Sequence, residues 1–177
     1  MYPPKEDSFF LSAILDDFFK NKNIKNKKFL DMGSGSGIQA ETLAKFTEKR
    51  NIICADIDKE AVRHLKSRGF NAINSNLFAK VKGKFDFVIF NPPYLPEHKY
   101  DKQPDTSGGK LGDETVLRFL KQAKKHLNKD SKIFLLLSSL TPRKRINNYL
   151  TENCKFKKLS EKKLFFEILE ILIISFL

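Results

Sequence analysis

Apolar residues along this chain come in short blocks separated by charged stretches with helical spacing. The blocks predict strands near 28–32, 51–55, 70–74, 85–90, 132–138, 154–159 and 164–174. The stretches between them predict helices near 6–20, 37–47, 59–67, 113–126 and 142–150. Regular alternation of this kind implies an α/β fold, with a mostly parallel sheet of seven strands covered by helices on both faces. The closing run from Leu164 to Leu177 is almost wholly apolar, but fourteen residues interrupted by Glu167 and Glu170 fall short of a membrane span, which takes roughly twenty. It is expected instead as a buried strand, paired in an antiparallel hairpin with Lys155 to Leu159 across Glu161-Lys162-Lys163. The longest irregular stretch, Leu95 to Gly112, holds Pro96, Pro104, Gly108 and Gly109 and suits a substrate-binding lid.

Three motifs fall at the carboxyl ends of predicted strands, where open α/β sheets bind ligands. The first is Gly33-Ser34-Gly35-Ser36-Gly37, directly after Lys28-Phe29-Leu30-Asp31-Met32. Glycines let a backbone turn sharply and approach a ligand beside exposed helix N–H groups. The spacing is G-x-G-x-G, so the dinucleotide fingerprint fits less well, and the missing G-K-[ST] excludes a P-loop. The second is Asp56, closing Ile52-Ile53-Cys54-Ala55, an acid that can accept from both hydroxyls of a ribose; Asp58 reads as the N-cap of the helix that follows. The third is Asn91-Pro92-Pro93-Tyr94, after Phe85 to Phe90. Two prolines make a rigid corner, and the Asn91 side-chain oxygen with the Pro92 carbonyl can accept from a flat NH2 group while Tyr94 covers its π face. By itself this corner is equally a proline-rich loop leaving a strand.

In this order and spacing, Leu30 to Gly37, Asp56 and Asn91 to Tyr94 resemble the class I S-adenosylmethionine-dependent methyltransferases. Tyr2 to Leu11 and Gly108 to Glu114 narrow the resemblance to the HemK-like protein-glutamine methyltransferases, in their short archaeal and eukaryotic branch. The resemblance implies a Rossmann-like sheet whose last strand is antiparallel, and S-adenosylmethionine as cofactor. It implies cofactor contacts at Ser8, Asp31, Gly33, Gly35, Gly37, Asp56, Asn76, Leu77 and Asn91, with Asp31 facing the methionine end. It implies an acceptor site at Asn91, Pro92, Pro93 and Tyr94. Most relatives carry an Asp where this chain has Asn76, which weakens the expected adenine contact without removing it. The implied substrate is the glutamine of the Gly-Gly-Gln loop of a class I translation release factor. The implied partner is a small zinc-binding activator, for which Phe70 to Ile73, with Leu77 and Phe78, is the candidate exposed apolar edge. An adenine-N6 methyltransferase of DNA or RNA presents the same planar NH2 to such a pocket and is the main rival; lysine methylation is a third reading.

Composition adds bounds. The length of 177 residues suits a single methyltransferase domain over 1–177, with no helical substrate-binding domain ahead of it. Lys and Arg total 33 against 21 acids, a net charge of +12, which favours RNA or the ribosome nearby but also arises from lysine-rich proteomes. Arg143-Lys144-Arg145 is the best candidate for a functional basic patch. Cys54 and Cys154 match neither a zinc site nor a disulfide framework and read as buried thiols, no metal is expected, and no signal peptide is seen, so a cytoplasmic protein off the membrane is expected. Of three histidines only His98 lies near the acceptor motif.

Overall fold

The computed structural model describes residues 4–93 and 112–177. Tyr94, His98, the expected lid and most of the Gly108 to Glu114 motif therefore lie outside the described residues, as do Tyr2 and Pro3. The chain alternates α1 (Glu6–Phe19), β1 (Phe29–Met32), α2 (Ile38–Leu43), β2 (Ile52–Asp56), α3 (Lys59–Ser67), β3 (Asn71–Asn74), β4 (Phe85–Phe90), α4 (Glu114–Ala123), β5 (Leu127–Ser138), α5 (Lys144–Asn153), β6 (Cys154–Lys163) and β7 (Ile168–Phe176). The seven strands form one sheet in the order β3-β2-β1-β4-β5-β7-β6. Pairs from β3 to β5 are parallel, and β7 runs antiparallel to both β5 and β6. This is the expected Rossmann-like methyltransferase sheet with its antiparallel last strand.

Side chains alternate across the sheet and fill two separate cores. Phe29, Ile52, Cys54, Ile89 and Phe134 pack under α1, α2 and α3, through Leu11, Leu15, Phe19, Ala40, Leu43 and Leu65. Leu30, Val88, Phe90, Ile133 and Leu135 pack under α4 and α5, through Phe119, Leu120, Ile146 and Leu150. In α1 the buried positions 7, 8, 11, 15 and 19 make a single stripe at helical spacing. Its last member, Phe19, meets Phe29, Phe87 and Phe134 edge to face, with ring centroids 5.6, 4.9 and 5.7 Å away, so one ring ties the helix to three adjacent strands.

Several expectations change. The closing hairpin turns later than predicted: β6 runs through Glu161-Lys162-Lys163, and the turn falls at residues 164–167, leaving Phe165 and Phe166 almost wholly exposed. Strand β5 starts five residues early, and α2 spans Ile38–Leu43 rather than continuing to 47. Strand β3 is an edge strand, but Phe70, Ala72, Leu77 and Phe78 are all buried. The apolar edge expected to carry a partner is therefore turned into the protein's own two cores. Nor is Arg143-Lys144-Arg145 a free basic patch, because Arg143 pairs with Glu170 and Arg145 with the buried Asp113. Both cysteines are buried free thiols. Among the described residues no helix is long and apolar enough to cross a membrane.

Gly37 shows why the turn needs glycine. Its φ is +83° at the N-cap of α2, and a Cβ there would lie 2.5 Å from Leu65 Cδ2. Gly69 has nearly the same φ, +82°, with open space around it. Gly69→Ala is expected to cost about 1–2 kcal/mol through backbone strain alone. Gly37→Ala adds a core clash of about 1–3 kcal/mol. Urea unfolding of the two variants checks this, and equal losses would refute the contact.

Candidate active site

Asp31, Asp56 and Asn91 converge because strand alternation places them on one face at one end of the sheet. Asp31 is in register with Cys54, and Asp56 lies two residues beyond it on the same face. Asn91 follows Ile89 by two residues, just past the end of β4, on the side covered by α1.

The glycine turn bridges the first two strands. Gly33 N–H donates to the Ala55 carbonyl at 2.7 Å, and Gly35 N–H donates to Asp56 Oδ2 at 2.7 Å. Asp56 Oδ1 accepts from the Asp58 N–H at 2.8 Å. Its carboxylate thus braces the turn. Asp58 caps α3 as expected, accepting from the Glu60 N–H at 2.8 Å. A Cβ on Gly33 would reach Phe90 at 3.4 Å and the Asn91 carbonyl oxygen at 3.9 Å. The first glycine and the Asn91 corner therefore face each other across a gap that a side chain would fill.

Asp31 is buried, and its Oδ2 has no hydrogen-bond partner among the described residues. Burial, with the Asp56 charge second, pushes its carboxyl up to about 8. An unpaired buried carboxyl is costly unless something cationic or hydrogen-donating joins it.

Asn91 Nδ2 donates to Asp7 Oδ2 at 3.0 Å, and Asn91 Oδ1 is buried without a partner among the described residues. Asp7 Oδ1 in turn accepts from the Ser8 N–H at 2.7 Å and from Ser8 Oγ at 3.3 Å. The hydroxyl of Ser8 is thus engaged with Asp7, while its carbonyl accepts from Gln39 Nε2 at 2.9 Å. Pro92 is buried and Pro93 half-buried behind Asn91. Asn76 is exposed, and its Oδ1 accepts from Arg118 Nη2 at 2.9 Å; Leu77 follows with a φ of +48°. Arg118 also lines a groove with Lys121 and Lys125 beside Asn76. Sequence reasoning missed Asp7, Gln39 and Arg118 as site residues. Asp7 stood inside a noted motif, but nothing local ties it to a residue 84 positions away. Among the described residues no group of His, Cys, Asp and Glu could hold a metal ion.

The Asp31 geometry has a signed consequence for stability. The folded carboxyl holds its proton to about 8 against an ordinary value of 3.8. Below that ordinary value both folded and unfolded chains are protonated and nothing is lost. Stability of the protein alone therefore falls as pH rises through that window, by on the order of 1 kcal/mol per pH unit. Asp31→Asn, which cannot ionise, is expected to flatten the slope in urea unfolding between pH 5 and pH 8; an unchanged slope would remove Asp31 as its source.

Comparison with known proteins agrees with this fold. A chain from Methanocaldococcus jannaschii, provisionally named as a protein N5-glutamine methyltransferase, is 37% identical over 162 residues, 85% of this chain and 78% of that one. The ribosomal RNA small subunit methyltransferase C of Cronobacter sakazakii is 28% identical over 121 residues, 65% of this chain but only 32% of its own length. Among solved structures, the E. cuniculi Mtq2–Trm112 complex, described as responsible for methylation of the eRF1 translation termination factor, superposes with a TM-score of 0.79. That match has 26% identity and covers 98% of this chain and 97% of that one. The sequence matches the methyltransferase small domain over residues 10–170, with the strand order and glycine turn described above, and the chain belongs to that family.

Proposed function

We propose that this protein transfers a methyl group from S-adenosylmethionine to the side-chain amide nitrogen of a glutamine in a translation release factor. The observation that carries this reading is the buried Asn91 Oδ1 at the Pro92-Pro93 corner, an acceptor with no donor among the described residues. Identity of 37% to the M. jannaschii chain and the likeness to the eRF1-methylating complex support the amide as acceptor.

The residues present fit the cofactor. Asp31 Oδ2 has no hydrogen-bond partner among the described residues and suits the ammonium of its methionine end, the Asp56 carboxylate at the end of β2 suits ribose hydroxyls, and Gly33, at a φ of +63°, keeps the backbone bare of a side chain towards the end of β4. Asn76, with its NH2 group and second lone pair, is left for the adenine edge beside Leu77. Gly35 and Gly37 hold the turn, and Ser8 supports it from α1 through Gln39. When bound, S-adenosylmethionine supplies an electrophilic methyl on a sulfonium.

The rest falls to the chain's own groups. A glutamine nitrogen is a weak nucleophile because its lone pair is shared with the carbonyl. Asn91 Oδ1 and the Pro92 carbonyl, each accepting one N–H of that amide, raise electron density on the nitrogen and aim it, which contributes through orientation and electrostatics. No strong base is needed, since the nitrogen becomes acidic only as it is alkylated. Tyr94 would fix the amide plane.

A partner is part of the proposal. The matched structure is a complex of Mtq2 with Trm112, and among the described residues β3 has one edge that pairs with no other strand. With the apolar side chains of β3 turned inward, a partner would engage that edge through main-chain hydrogen bonds.

Radiolabelled S-adenosylmethionine with the matching release factor, wild type and with Gln of Gly-Gly-Gln changed to Ala, tests the reading. Label on the wild-type factor alone is expected; label only on an adenine- or guanine-containing oligonucleotide would move the chain to the RNA enzymes it also matches. Asn91→Ala is expected to lower kcat at least ~100-fold, in line with loss of one oriented acceptor, with cofactor affinity changed only a few-fold. Asp56→Ala is expected to weaken cofactor binding by roughly tenfold or more, about 1.4 kcal/mol, in calorimetry.

A further inference from the structure

An asparagine side chain can point either its oxygen or its NH2 into a pocket, and only one direction serves an acceptor site. At Asn91 the direction is set by Asp7. The Asp7 carboxylate accepts from Asn91 Nδ2 at 3.0 Å, and an ionised carboxylate offers no proton, so the NH2 of Asn91 must face it. Asn91 Oδ1 is left pointing the other way, buried and without a partner among the described residues. Asp7 is held in turn: it is 6% exposed, and its other oxygen accepts from the backbone and hydroxyl of Ser8 at 2.7 and 3.3 Å. Gln39 Nε2, on α2, holds the Ser8 carbonyl at 2.9 Å. The chain of contacts runs from the helix after the glycine turn, through α1, to the acceptor corner.

We propose that Asp7 is a positioning and specificity-determining residue, which locks the Asn91 amide so that the pocket presents an oxygen and favours hydrogen-bond donors such as an NH2 group. Released from Asp7, the amide could rotate by half a turn and set its own NH2 against that of the substrate, donor against donor. The inference rests on the reading of Asn91 as the acceptor-binding group and goes beyond it by naming what orients that group.

Exchange of the two side chains is the test. Asp7→Asn removes the preference for one orientation and is expected to lower kcat for a Gly-Gly-Gln peptide at least ~10-fold, with KM for S-adenosylmethionine changed much less. Asn91→Asp places two carboxylates together and is expected to be poorer still. In the double variant Asp7→Asn/Asn91→Asp the donor and acceptor trade places, and an oxygen again faces the pocket. Its kcat is expected to recover at least ~10-fold over either single variant, which a merely structural role for Asp7 would not produce. Wild-type kcat in Asp7→Asn, or a folded, cofactor-binding double variant no better than the singles, would overturn the proposal.

A second readout needs neither substrate nor a variant at Asp7. In wild-type protein labelled with 15N asparagine, with the Asn91 signal assigned by its loss in Asn91→Ala, one side-chain proton should be shifted downfield and protected from exchange. An Asn91 pair at ordinary, fast-exchanging positions would sink the lock. Failure of the wild type to label the peptide would instead sink the glutamine reading, while the resonance still decides the role of Asp7.

Discussion

Phe19 lies at the carboxyl end of α1 with its ring edge-on to Phe29 of β1, Phe87 of β4 and Phe134 of β5. Edge-to-face packing of this kind restricts sliding more than aliphatic contact does, because each ring prefers a definite angle to its neighbour. From that anchor α1 rises about 18 Å to Asp7, at about 1.5 Å per residue. Strand β4 covers about 13 Å from Phe87 to Asn91, at about 3.3 Å per residue. Helix and strand thus run antiparallel, and the stripe of Phe19, Leu15 and Leu11 delivers Asp7 to the one polar residue at the end of β4. The acceptor corner depends on this docking.

A second economy lies at the other end of the site. Asp31 and Asp56 share a face of adjacent parallel strands; burial first, and the Asp56 charge second, make Asp31 hold its proton to about 8. Asp56 accepts the N–H groups of Gly35 and Asp58. One carboxylate holds the turn, and the other carboxyl keeps one buried oxygen without a partner among the described residues, as a site built for a ligand is expected to.

Much of this was legible in the sequence because the signals are local. The glycine turn follows β1 directly, Asp56 ends β2 and Asn91 ends β4, as the apolar blocks indicated; Asp58 caps its helix through a contact two residues away. The misreadings share a cause too. Glu161-Lys162-Lys163 read as a turn by charge, but on an exposed edge strand lysines are the ordinary way to blunt pairing, so β6 continues through them. Phe70 to Ile73 read as an apolar edge by composition, yet with both faces of the strand covered Phe70 and Ala72 are buried and Ile73 half-buried, and the exposed side chain is the polar Asn71. Arg143 and Arg145 read as a patch because their partners, Glu170 and Asp113, are distant in sequence.

Period and punctuation therefore determined the alternation of elements, the parallel sheet with its reversed last strand, and the strand ends that bear Asp31, Asp56 and Asn91. These follow from steric and hydrogen-bonding preferences that act over a few residues. Which side chains meet was decided only by the tertiary structure: Asp7 against Asn91, Gln39 against Ser8 and Arg118 against Asn76. Each of those contacts spans 31 to 84 positions and exists because helices packed on a twisted sheet bring remote groups within 3 Å, a distance that no local rule along the chain can set.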